Sequence, residues 1–212
     1  MQPKFAMVID ASRCFHCNAC IVACQLENGV PPQFVRNWIR DVDSEQEMKL
    51  QFQPGNCMQC DEPSCVEACP VGATFKSKDG RVLIDPSTCI NCGNCVPACP
   101  YGARFRHPDK HRADKCDFCQ QRLKRGKMPA CVVTCPTRAR VFGDLNDPSS
   151  EVSRLLKRGG LVRVVNVKVD TKPNIYYEKD TTSLTWPVEP TLPGDVHMPL
   201  AFWKKSKNKT QG

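Results

Sequence analysis

Sixteen cysteines in a chain of 212 residues are its conspicuous chemical resource. Thiolates act as nucleophiles, disulfide partners or soft metal ligands, and spacing decides among these roles. The positions form four groups of four: Cys14, Cys17, Cys20, Cys24; Cys57, Cys60, Cys65, Cys69; Cys89, Cys92, Cys95, Cys99; and Cys116, Cys119, Cys131, Cys135. Groups one and three read C-x2-C-x2-C-x3-C, group two widens one gap to four residues, and group four widens the same gap to eleven. All end in C-x3-C, followed by Pro70, Pro100 and Pro136 in three cases and by Gln25 in the first.

Three cysteines at two-residue steps sit on a tight loop that can wrap one corner of an iron–sulfur cube. The fourth, three residues on, enters a short helix and points away. In bacterial two-cluster ferredoxins that fourth cysteine serves the other cluster, and the proline belongs to the same signature. Four such motifs imply two pairs, four [4Fe–4S] clusters and no thiolate left over. Zinc competes most strongly at group four, which alone would pass for a zinc ribbon. Groups one and three do not fit the two-knuckle zinc pattern, and a disulfide scaffold is disfavoured by the close C-x2-C spacing and the chain length.

No other constellation competes. His16, His107, His111 and His197 are scattered, no nucleophile motif surrounds a serine or threonine, and no phosphate-cradling glycine loop is present. His16, inside the first motif, is a candidate for tuning a cluster, and Gly72, Gly93 and Gly102 either bring N–H groups to the sulfurs or simply permit turns. Residues 104–127 hold eleven Lys, Arg or His, which keeps a basic, metal-containing nucleic-acid module as the rival from another class, although few aromatic residues are there to stack bases. The formal charge of +8 counts thiols as neutral; a cube with four thiolates carries about −2, so four of them offset about −8. No apolar run of about 18 residues suggests a membrane span, and the N-terminal residues do not read as a secretory signal.

The elements that position these loops are short. Residues 5–10 and 138–142 read as strands flanking the first and fourth motifs. Residues 73–76 and 81–85 read as strands around a Lys78-Asp79-Gly80 turn, bracketing the middle block. The connector 28–54, with its acidic run 41–47, reads as irregular, with Phe34, Trp38 and Ile39 packing. Asp147 and Pro148 resemble an N-cap and first helical position, opening a helix whose Val152, Leu155 and Leu156 share a face; 161–169 reads as a strand. From Lys172 onward the chain is polar and proline-rich, a tail whose Trp186, Phe202 and Trp203 suggest docking on a partner. Leu, Ile, Val and Phe supply only 46 residues, near the roughly 20% below which packed domains become rare, so ligation must replace part of the core.

Cys-Pro-Val-Gly-Ala at 69–73, Cys-Pro-Tyr-Gly-Ala at 99–103, Lys-Cys-Asp-Phe-Cys at 115–119, Pro-Ala-Cys-Val-Val-Thr-Cys-Pro at 129–136 and Phe-Gly-Asp-Leu-Asn-Asp-Pro at 142–148 together resemble the four-cluster electron-transfer subunit of molybdopterin oxidoreductases of the dimethyl sulfoxide reductase superfamily. Glu-Asn-Gly-Val-Pro-Pro at 27–32 is most similar to the polysulfide, thiosulfate and tetrathionate reductase subunits. The resemblance covers residues 4 to about 180. It implies an α+β protein of two ferredoxin-like [4Fe–4S] units, one inserted within the other, with long irregular loops and a C-terminal extension. Residues 1–53 plus 107–146 would form the first unit, 54–106 the inserted unit, and 147–212 the extension and docking tail.

By the family's pairing, Cys14, Cys17, Cys20 and Cys135 would hold one cluster and Cys116, Cys119, Cys131 and Cys24 the second. Cys57, Cys60, Cys65 and Cys99 would hold the third, and Cys89, Cys92, Cys95 and Cys69 the fourth. The first would face a molybdopterin-containing catalytic subunit and the fourth a quinone-interacting integral membrane subunit. The expected role is non-catalytic electron transfer in anaerobic respiration, with a hydrogenase or formate dehydrogenase complex as the alternative setting. The expected place is peripheral to the cytoplasmic membrane, on the periplasmic side by co-export with a partner or on the cytoplasmic side.

Overall fold

The computed structural model describes residues 2–43, 50–166 and 168–178. Strand β1 (Phe5–Ile9) is followed by a single 3-10 turn, Ala11–Arg13, and by helix α1 (Ala19–Asn28). The ten-residue length of α1 follows from Gln25. Lacking the proline that follows the other motifs, this helix runs on until Gly29, whose φ of 58° ends it. Its counterparts α2 (Ser64–Glu67) and α4 (Ala130–Val133), the latter preceded by the short helix α3 (Gln120–Leu123), stop after one turn, ahead of Pro70 and Pro136.

Strand β8 (Arg140–Asp144) pairs antiparallel with β1, from Phe5 opposite Asp144 to Ile9 opposite Arg140. On its other edge β1 pairs in parallel with β10 (Ile175–Glu178), which in turn pairs antiparallel with β9 (Leu161–Arg163). The order β8-β1-β10-β9 buries β1 and β10 on both faces. Met7, Ile9, Ile175 and Tyr177 face the main core, which contains Cys20, Cys57, Cys60, Cys99, Cys116 and Cys131. Ala6, Val8 and Tyr176 pack instead under α5 (Glu151–Arg158), against Val152, Leu155 and Leu156. Two-sided burial explains why β1 is an unbroken apolar run.

Three further hairpins are two-stranded: β2 (Asn37–Asp43) with β3 (Leu50–Asn56), β4 (Thr74–Lys76) with β5 (Val82–Ile84), and β6 (Phe105–His107) with β7 (Arg112–Asp114). The mixed helix and strand content makes the fold α+β. The connector expected to be irregular is therefore partly wrong: β2 and β3 are a regular ladder. Pro54 and Gly55 mask it in the sequence. Pro54 has no N–H to lose here and its carbonyl accepts from the Tyr177 hydroxyl at 2.9 Å. Gly55 lies flat on the Trp38 indole, where an added Cβ would come within 2.5 Å of Nε1.

Three other expectations shift. The helix expected at Asp147 begins at Glu151 with Ser150 as its cap, because the Asp147 carboxylate is engaged by the Ser149 N–H and hydroxyl in a local turn. The strand expected over 161–169 pairs only over Leu161–Arg163, with an isolated bridge between Asn166 and Val169. The stretch after Lys172 is no mere tail at its start, since β10 is an inner strand. Trp186, Phe202, Trp203 and most of the acidic run lie outside the described residues.

Candidate metal centres

Each motif uses one backbone device. The residue just before its second cysteine, His16, Gln59, Asn91 and Phe118 in turn, has φ of 59°, 48°, 55° and 60°. None is glycine, so each loop holds a left-handed residue at some cost. Such turns aim successive N–H groups to one side, forming an anion-binding nest. Of the two readings open for the glycines, Gly72 and Gly102 follow the plainer one and close turns, their N–H groups bonding the Cys69 and Cys99 carbonyls at 3.2 Å. The N–H groups that reach sulfur include those of Thr74, 3.4 Å from Cys69 Sγ, and Ala139, 3.3 Å from Cys135 Sγ. His16 rests its ring on Phe52, centroids 5.0 Å apart.

Three cavities are lined by four cysteines each. One has Cys14, Cys17, Cys20 and Cys135 with Arg140 on its wall. Another has Cys24, Cys116, Cys119 and Cys131. The third has Cys57, Cys60, Cys65 and Cys99 beside Tyr101, Arg104 and Thr171. Every one of these groups mixes two motifs. The last four cysteines are set more openly: Cys95 is buried and packs with Cys89, Cys65 and Val82, Cys69 is half-buried, and Cys92 is exposed.

Burial pushes the thiols of Cys24, Cys60, Cys65, Cys116 and Cys119 up. Neighbouring sulfurs push further, Cys131 and Cys119 on Cys24, and Cys57 on Cys60. Cys99 is pushed up to about 12 and Cys131 to about 11, mainly by burial. At Cys69 and Cys135 burial also raises the pKa, but N–H donors and the Thr137 hydroxyl outweigh it and hold both thiols below their usual range. Four sulfurs around one dry cavity resist ionising together unless a multiply positive centre occupies it. A single zinc ion with Zn–S bonds of about 2.3 Å needs its ligands gathered close around one point, and among the described residues no group of three or more Cys, His, Asp or Glu is so placed; an iron–sulfur cube, whose ligands stand farther apart, fits the donor set.

Sequence reasoning missed the cations. Arg104, Lys115 and Arg140 are at most 2% exposed. Burial alone would lower the Arg104 pKa, but Cys65, Cys95, Cys57 and Cys99 hold it up; Cys20, Cys131 and Cys116 do the same for Arg140. Arg104 donates to the Thr74 hydroxyl at 3.2 Å, while its Nε and Nη2 have no hydrogen-bond partner among the described residues. Arg140 donates to Asn56 Oδ1 at 2.9 Å and to the Gly55 carbonyl at 3.2 Å. Asn56 in turn donates to the Cys57 carbonyl and faces Cys116 Sγ at 3.9 Å. Lys115 donates to the Cys116 carbonyl at 2.8 Å and to the Val82 carbonyl. Within the basic run 104–127, Arg104, His107 and Lys115 are buried, whereas Arg106, Lys110, His111, Lys124, Arg125 and Lys127 are exposed.

Residues 13–73 and 48–145 each match the 4Fe-4S dicluster domain family. The chain is 39% identical over 179 residues to the B subunit of tetrathionate reductase from Salmonella typhimurium, covering 82% of this chain and 72% of that one. It is 44% identical over 174 residues to the B subunit of tetrathionate reductase from Archaeoglobus fulgidus, covering 82% and 81%. With the B component of polysulfide reductase from Wolinella succinogenes it shares 36% over 181 residues, covering 83% and 94%. This protein belongs to the 4Fe-4S dicluster family of reductase B subunits. As a member of that family it is an iron–sulfur electron-transfer protein with four [4Fe–4S] clusters, which account for all 16 cysteines.

Proposed function

We propose that the protein carries electrons between a molybdopterin-containing catalytic subunit and a quinone-interacting integral membrane subunit, in a complex that reduces a sulfur oxyanion or polysulfide. The relatives' names support the substrate class. The observation that carries the reading is the sorting of cysteines into mixed-motif cavities. On this reading Cys14, Cys17, Cys20 and Cys135 hold the first cluster and Cys116, Cys119, Cys131 and Cys24 the second. Cys57, Cys60, Cys65 and Cys99 hold the third, and Cys89, Cys92, Cys95 and Cys69 the fourth. The units follow the clusters: 54–106 is inserted within the unit made by 1–53 plus 107–146, and 147–212 extends it.

The clusters supply one-electron chemistry when bound; the polypeptide supplies their setting. Its loops exclude water, the nests and the Thr74 and Ala139 N–H groups stabilise anionic sulfur, and the buried cations offset charge. Cys17 and Cys92 are exposed and fall in different sets, first and fourth. Each has exposed apolar neighbours: Phe15, Val22 and the 81%-exposed Leu26 near the first, and Ile90, 62% exposed, near the second. Such surface suits subunit contacts. Among the described residues no helix is long and apolar enough to cross a membrane. We place the protein peripheral to the cytoplasmic membrane, on the periplasmic side by co-export.

Anaerobic purification with iron and acid-labile sulfide analysis tests the cluster content, with about 16 of each expected per chain. Zinc in place of iron would overturn the reading. Isolation of the complex, with a molybdopterin subunit and a membrane subunit retained, tests the partners; recovery with neither under conditions that keep the clusters intact would overturn that part.

A further inference from the structure

Residues 171–174 lie along the loop of the second motif. The Glu62 N–H bonds the Thr171 carbonyl at 3.0 Å, the Asp61 N–H bonds the Lys172 carbonyl at 2.8 Å, and the Asn174 N–H bonds the Met58 carbonyl at 2.9 Å. Asn174 Nδ2 adds bonds to the Gln59 carbonyl and Asp61 Oδ1, both at 2.9 Å. Upstream of that segment, Asn166 Nδ2 reaches the Pro100 carbonyl at 3.2 Å and so touches the end of the third motif. These bonds fix Thr171 over the cavity lined by Cys57, Cys60, Cys65 and Cys99.

There the Thr171 hydroxyl donates to Cys60 Sγ at 3.0 Å. Its oxygen stands 3.1 Å from the Tyr101 hydroxyl. With the Thr171 proton directed at sulfur, Tyr101 is the donor in that second bond, and the Asn166 N–H bonds the Tyr101 oxygen. The result is a relay, Asn166 N–H to Tyr101 O–H to Thr171 O–H to Cys60 sulfur. Thr171, Tyr101 and Asn166 are all buried, at 1%, 2% and 5% exposure. The Thr137 hydroxyl stands farther from Cys135 Sγ, at 3.6 Å, and the Thr74 hydroxyl bonds Cys69.

We propose that Thr171, polarised by Tyr101, is a positioning residue that raises the reduction potential of the cluster held by Cys57, Cys60, Cys65 and Cys99 relative to the other three. A donor to a ligand sulfur stabilises the more electron-rich state, so the reduced form gains more than the oxidised one. The low dielectric of the site and the chaining of donors strengthen the bond. Thr171 lies outside every cysteine motif, in a stretch whose sequence is otherwise polar linker.

The inference rests on the proposed ligand assignment, and the two fail differently. The test measures midpoint potentials by EPR on the four-cluster holoprotein, with iron content measured in parallel. Thr171→Val keeps the shape and removes the donor. It should lower one potential by about tenfold in the reduced-to-oxidised ratio, ~59 mV for one electron, leaving the other three within twofold. Thr171→Ser should restore the wild-type value, and Tyr101→Phe should shift the same cluster in the same direction by less. Full iron with that potential unmoved in Thr171→Val, or an equal shift of all four, overturns the relay. If Thr171→Val loses iron, Tyr101→Phe decides, and no shift in it overturns the proposal. Wild-type protein lacking iron would instead sink the ligand assignment.

Discussion

Removing iron should leave this protein without a cooperative fold, because its buried charges do not balance in the metal-free state. Among the described residues five buried cations, Arg36, Arg81, Arg104, Lys115 and Arg140, face one buried carboxylate, Asp114. Arg36 pairs with Asp114 at 2.6 Å, and Arg81 with the partly exposed Asp79 at 2.6 Å. Arg104, Lys115 and Arg140 bond only to carbonyls, neutral side chains and the Met7 sulfur. An uncompensated buried charge costs about 3–5 kcal/mol, so three of them cost about 9–15 kcal/mol. That is as large as the whole ~5–15 kcal/mol by which a native domain is stable. Thiolates bound to iron supply the missing negative charge; neutral thiols cannot. The experiment is anaerobic chelation followed by a thermal scan in far-UV circular dichroism. The iron-free protein should melt without a sigmoidal transition. Arg104→Met separates this cause from simple loss of a cross-link, since it should destabilise the loaded protein and recover structure in the iron-free one. A cooperative transition in iron-free wild type, or equal destabilisation of both forms by Arg104→Met, would refute the reasoning.

Cys24→Ser should remove about four irons per chain, and EPR should show the loss in the cluster of Cys116, Cys119 and Cys131 while that of Cys14, Cys17 and Cys20 survives. Loss of the latter would break the crossed assignment. Gly55→Ala places a methyl into the Trp38 ring and should lower the stability of the loaded protein by about 1–3 kcal/mol in denaturant unfolding. Leu26→Glu should weaken retention of the catalytic subunit, and Ile90→Glu that of the membrane subunit, each by about tenfold in pull-down, or about 1.4 kcal/mol. Both should keep full iron, and an unchanged retention would move the docking surface elsewhere.

How much of this was legible depended on how local each signal was. The cysteine groups, β1, and the hairpin around Asp79 and Gly80 are written in contiguous residues and were readable. The β2–β3 ladder was not, because Pro54 and Gly55 carry turn signals that long-range partners, Tyr177 and Trp38, reinterpret. Strand β10 is four residues in a polar stretch, and its pairing with β1 spans most of the chain. The left-handed residues before each second cysteine offered no compositional cue, being His, Gln, Asn and Phe. The buried cations had a faint one, since Lys115 and Arg104 adjoin cysteine motifs, but a lysine beside a cysteine in sequence gives no depth.

The parallel pairing of β1 with β10 also sets an order of events at the ribosome. Strand β1 emerges first, yet its inner neighbour is residues 175–178, so the sheet cannot close until nearly all of the described residues have left the exit tunnel. At about 5–20 residues per second, the first motif waits seconds for Cys131 and Cys135 and longer for β10. The middle block has no such delay. On the proposed ligand assignment, Cys57 to Cys99 would supply two full cysteine sets from one uninterrupted stretch, so metal loading could begin in the interior of the nascent polypeptide and proceed outward. On that assignment, machinery that loads clusters during synthesis would find complete cysteine sets first within residues 57–99, and the sets that join Cys14–Cys24 to Cys116–Cys135 would be completed last.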